Sequence, residues 1–99
     1  MPNYAHSPFL RFSPHAKRRQ CQHGIADPAI EAALLWGDAI QQRRGRVAWF
    51  LGRRAVARAG RHGVDLRAYL HTAVITSQDE VLVTVVRTAS TTRLRRVGR

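Results

Sequence analysis

Leu70-His71-Thr72-Ala73-Val74-Ile75-Thr76-Ser77-Gln78-Asp79-Glu80-Val81-Leu82-Val83-Thr84-Val85-Val86-Arg87 is the stretch that decides the fold. Residues 70–76 and 81–87 are two runs rich in β-branched side chains, which suit a pleated, half-buried surface. Between them Ser77, Gln78, Asp79 and Glu80 form a polar four-residue turn. Two such runs joined this closely make a hairpin, so the sheet is antiparallel here.

The same reading extends toward the N-terminus. Residues 53–61 carry Ala55, Val56 and Ala59 at helical spacing with basic residues between, and His62-Gly63 ends the helix. Val47-Ala48-Trp49-Phe50-Leu51 is a continuous apolar run, which predicts an interior strand. Ile40-Gln41-Gln42 predicts a short strand before it, turned at Arg43-Arg44-Gly45. A helix over residues 28–36 has Asp27 as its expected N-cap, Ile30, Ala33 and Leu34 on its inner face, and Gly37 as its stop. A first helix over residues 14–23 is bracketed by Ser13-Pro14 and Gly24. The predicted class is α+β: two N-terminal helices packed on a small, mainly antiparallel four-stranded sheet. Residues 1–12 read as a polar leader, 13–88 as a single domain and 89–99 as a basic tail.

The chain has 99 residues, which suits one domain with a modest core. No apolar run approaches the roughly 20 residues that span a bilayer, and Pro2, Asn3, His6 and Pro8 occupy the place of a signal peptide's apolar region. A cytoplasmic location is therefore expected. A lone Cys21 agrees, since it cannot form an intrachain disulfide, and it reads as a small packing residue. Trp36 and Trp49 read as core.

Charge is the second signal. Seventeen basic residues face six acidic ones, for a net charge of +11. All the basic residues but Lys17 are arginine, whose fork donates two parallel hydrogen bonds to a phosphate. Such an excess repels itself and attracts polyanions, so nucleic acid or an acidic protein is the expected partner. The carboxylates are used elsewhere: Asp27, Asp65, Asp79 and Glu80 sit at caps and turns, and Asp38 follows Gly37. A paired-carboxylate or magnesium-dependent centre needs several that converge. One cysteine and five histidines without ligand spacing supply no zinc site. No metal or other cofactor is expected, and any chemistry falls to histidine, arginine and hydroxyl groups.

The first helix is unusual. It is nearly free of apolar side chains, yet His15, Arg19 and His23 recur every fourth residue and share one face. His23 also sits where a cation favours the helix dipole, and Arg19 has a structural alternative in a pair with Glu31.

The run His15-Ala16-x-x-Arg19-x-x-x-His23-Gly24-Ile25 resembles the H-A-x-x-R-x-x-x-R-G-I helix of small bacterial toxin-like domains. Gly52-Arg53-Arg54-Ala55-Val56 looks like the G-R-R-A-V stretch of that family, and Val81–Arg87 like its closing V-x-T-V-x-R strand. The layout is also similar to the BrnT toxins, which group with the RelE-like, barnase-type ribonucleases. His23 departs from the pattern, standing where the family has arginine. The resemblance implies RNA cleavage without a metal and inhibition by an acidic antitoxin-type protein. A 2′-hydroxyl attacks the neighbouring phosphate, assisted by proton transfer and cations. His15 is the first candidate for proton transfer, Arg19 for holding the scissile phosphate, and Arg87 or Thr84 for completing the clamp. Thr84 and Arg87 are three apart, so an ideal strand turns them to opposite faces, and Arg87 is favoured. His71 is a candidate for the second proton carrier, and His23 a further candidate. Arg18, Arg43, Arg44, Arg53, Arg54 and Arg58 form an expected phosphate-tracking surface, which Arg46 extends. Two other readings use the same charge: a nucleic-acid-binding module without catalysis, and a protein-interaction domain with an acidic partner.

Overall fold

The computed structural model describes residues 11–79 and 81–89. The strands are β1 (Arg11–Phe12), β2 (Asp38–Gln41), β3 (Val47–Leu51), β4 (Thr72–Thr76) and β5 (Val81–Arg87). The helices are α1 (Pro14–Gln22), α2 (Asp27–Trp36) and α3 (Arg53–Arg61). The sheet runs β1-β5-β4-β3-β2. β2, β3, β4 and β5 pair antiparallel one to the next, as expected, and β3 is interior.

The fifth strand is a correction. Arg11 and Phe12, at the end of the expected leader, pair in parallel with Val81 and Leu82. Residues 1–10 and the tail arginines Arg93, Arg95, Arg96 and Arg99 lie outside the described residues, as does Glu80 of the turn.

Sheet alternation separates two clusters. Leu51, Val74, Leu82 and Val85 turn toward the helices and pack with Ile30, Ala33 and Leu34 of α2 and Ala55 and Ala59 of α3. Phe50 and Ala73 turn to the other side, against Ile40 and Val86. Leu82 and Val85 are three apart yet share a face, because the ladder slips between them. Ile75 faces Thr84 and Thr76 faces Leu82, which leaves Val83 as an extra residue.

Local chemistry explains the helix ends. Ser13 Oγ accepts from the Ala16 amide at 3.0 Å, and its hydroxyl donates to the Val83 carbonyl at 2.9 Å. At the far end of α1, Gly24 has φ 61° and the Ile25 amide donates back to the Gln20 carbonyl at 3.0 Å. That is the left-handed closure expected of a glycine stop. Gly63, with φ 81°, and Val64 close α3 in the same way. Asp27 is not the cap of α2: Ala26 holds that position, and the Asp27 carboxylate accepts from Gln20 instead. Ala16 is the buried residue of α1, and its small side chain lets a polar helix lie close on β5.

Candidate functional site

The hydrogen-bond ladder sorts the cationic residues between two ends of the sheet. At one end lie the β2–β3 turn with Arg43 and Arg44, the β4–β5 turn, and the start of α1. At the other lie the end of β3, the start of α3, the start of β4 and the end of β5.

This separates the expected catalytic residues. Ser13 binds at Leu82 and Val83, so His15, in the first turn of α1, belongs beside the start of β5. Arg87 ends that strand, four residues beyond Val83, about 13 Å along it. His15 and Arg87 therefore stand at opposite ends of β5. Arg19 is half-buried in the last turn of α1, with its Nε buried and without a hydrogen-bond partner. His23 is the exposed C-cap of α1, consistent with a dipole-favoured position. Arg18 is exposed, and so is Cys21, which corrects its reading as a small packing residue: α1 turns that position to solvent.

The other end brings a different set together. His71, Arg53 and Arg54 line one groove of about 640 Å³ with Asp38, Ile40, Phe50, Gly52 and Ala89. Each wall has a traceable origin. Phe50 reaches it because strand alternation turns it away from Trp49 and Leu51, which pack on the helix side. Arg53 and Arg54 open α3, whose Gly52 cap offers no side-chain acceptor and whose first turn has no carboxylate. The free N–H groups and the positive end of the helix dipole therefore add to the two guanidinium charges.

His71 is held in place by its backbone. Its amide donates to the Leu51 carbonyl at 2.7 Å, and its carbonyl accepts from the Thr88 amide at 2.9 Å. It has φ 73°, in the left-handed region that non-glycine residues seldom occupy. The imidazole lies nearly parallel to the Phe50 ring, with centroids 6.4 Å apart and planes 5° from parallel.

Arg87 shares this end but not this groove. It pairs with Thr72, on the helix side of the sheet, and is exposed. Thr84 pairs with Ile75 on the other side, where it is buried with an unpartnered hydroxyl. The two residues are on opposite faces, as their spacing predicts. Arg58 is tied into the fold: its Nη2 donates to the Trp36 carbonyl at 2.6 Å and to Asp38 at 3.1 Å. Trp49 Nε1 donates to Thr76 Oγ1 at 2.9 Å, in keeping with a core position.

One carboxylate is strongly perturbed. The Arg67 guanidinium binds Asp65 through two hydrogen bonds of 2.9 Å and lowers its pKa to about 2, helped by the Arg67 amide. The pair lies away from the groove, next to the short turn Arg67–Tyr69. No group of three or more His, Cys, Asp or Glu among the described residues is placed to hold a metal ion. Among the same residues, no helix is long and apolar enough to cross a membrane.

Sequence reasoning did not select Asp38 and Phe50. The only available signal was strand alternation, which a continuous apolar run such as Val47–Leu51 conceals. Compared with protein families, with curated proteins and with solved structures, the chain matches none of them.

Proposed function

We propose that this chain is a metal-independent endoribonuclease of the bacterial toxin type, working in the cytoplasm, with the groove at His71 as its reaction site. The observation that carries the reading is the convergence of His71, Arg53 and Arg54 on that groove. A histidine is the side chain that exchanges protons near neutral pH. Two guanidinium groups beside it would stabilise the charge that builds on a phosphate under attack. The net charge of +11 favours a polyanionic substrate, and the motifs shared with toxin-like domains point the same way. An acidic antitoxin-type protein that covers the basic surface is the corresponding partner.

One observation favours a second reading, RNA binding without cleavage. Cleavage needs both a base and an acid. Among the described residues of the lining, the one carboxylate, Asp38, is engaged by Arg58 at 3.1 Å, which leaves His71 without a second proton carrier beside it.

The deciding experiment is cleavage of labelled RNA in EDTA by the purified chain and by His71→Ala, Arg53→Ala, His15→Ala and Arg19→Ala. Cleavage that survives EDTA, is abolished in His71→Ala and persists in His15→Ala supports the groove. Loss in His15→Ala and Arg19→Ala alone would move the centre to α1. RNA binding with no cleavage by the unaltered chain would leave the binding module.

A further inference from the structure

The stacked pair of rings is unequal. Phe50 is only 8% exposed, whereas His71 is half-buried and lines the groove. Both rings line the groove, and the imidazole, the more exposed of the two, offers the larger surface to an occupant. The backbone of His71 is fixed by hydrogen bonds to Leu51 of β3 and to Thr88, and its ring lies nearly parallel to that of Phe50. A flat ring on the wall of a groove is a surface on which an unpaired base stacks.

The charges around it are asymmetric. Arg53 and Arg54 are exposed at the start of α3, beside amide groups with no side-chain acceptor. Asp38 lies on the same lining and repels phosphate, although Arg58 neutralises part of its charge. A phosphate in the groove is favoured beside Arg53 and Arg54 and disfavoured beside Asp38. A duplex keeps its bases stacked on one another and offers none to a wall of this kind.

We infer that the groove is a nucleotide subsite for unpaired RNA, with a base stacked on His71 and the adjoining phosphate on Arg53 and Arg54. The inference rests on RNA as the substrate but not on cleavage. It assigns His71 a base-stacking role, which an aromatic replacement fills, beside the proton transfer proposed above, which such a replacement would lose.

The test uses a single-stranded oligoribonucleotide with one 2-aminopurine, protected from cleavage by 2′-O-methyl groups. Stacking quenches the fluorescence of this base. The unaltered chain and His71→Phe should both quench it. His71→Ala and His71→Asn should not, and should bind about fivefold to a hundredfold more weakly. Asparagine tolerates the left-handed backbone, so it separates loss of the ring from loss of the fold. The double variant Arg53→Ala/Arg54→Ala should bind more weakly yet quench at saturation. Equal quenching and affinity in the folded His71→Asn variant, or equal affinity for a duplex, would overturn the subsite. Cleavage of unmodified RNA is read alongside: cleavage without quenching sinks the subsite alone, and quenching without cleavage sinks the endoribonuclease alone.

Discussion

His71 shows what a single residue can hide. In sequence it reads as the start of a strand, and its neighbours support that. In the fold it precedes β4 in a left-handed conformation with φ 73°. A side chain there costs on the order of 1–2 kcal/mol through Cβ, and glycine escapes that cost. His71→Gly should therefore be more stable than His71→Ala by about 1 kcal/mol in denaturant unfolding. Equal stability would mean that the backbone relaxes out of the left-handed region. Both variants lack the ring, so neither should cleave RNA if the groove is the centre. Asp65 offers a second test at this scale. Its carboxyl is held near pKa 2 by Arg67. A depressed carboxylate stabilises the fold above its ordinary range, and that contribution fades as pH falls toward 2. The pair is fully exposed, so salt weakens it. In an NMR titration Arg67→Ala should return the Asp65 midpoint toward 3.8. A midpoint that stays low would shift the cause away from the guanidinium.

At the scale of elements, the sequence was legible wherever punctuation and periodicity agreed. β3, α3 and β5 have the expected limits, because Gly52 divides an apolar run from a helical pattern and a polar turn precedes Val81. α1 was legible from its caps alone. Ser13→Ala tests that cap and should cost about 1–2 kcal/mol, since it removes an acceptor for the Ala16 amide and a donor for the Val83 carbonyl. A cost below a few tenths would mean that water replaces both. Gly37 makes a sharper demand. A Cβ there would press on the Ala33 carbonyl and stand 3.1 Å from backbone atoms of Trp49 and Phe50. Backbone on both sides cannot yield cheaply, so Gly37→Ala should lower stability by about 1–3 kcal/mol or more. What the sequence hid was two residues long. Arg11-Phe12 carries no periodicity, and its parallel pairing depends on a partner far along the chain. The lining of the groove was hidden for a related reason. Helical spacing drew attention to His15, Arg19 and His23, but strand register decides which residues meet, and it unites His71 with Arg53 and Arg54.

On the scale of the whole molecule the charge dominates. Of the described arginines, Arg58 and Arg67 are paired with carboxylates, while Arg43, Arg44, Arg53 and Arg54 are exposed at the two ends of the sheet. Binding of single-stranded RNA should weaken with salt by about 0.7 log units per log of salt for each phosphate contacted. Replacing Arg53 and Arg54 together should lower that slope by about 1.4. An unchanged slope would place the phosphate contacts at the other end, with Arg43 and Arg44.

The bond between Ser13 and the extra residue of β5 spans 70 positions of the chain. During synthesis at about 5–20 residues per second, Ser13 precedes its partner by about 4–14 s. Through that interval α1 has neither its sheet contact nor the Val83 half of its cap. A helix with so little apolar surface does not persist alone. The nascent chain therefore keeps α1 open until β5 has left the ribosome, and a product truncated before Val83 is a target for proteolysis.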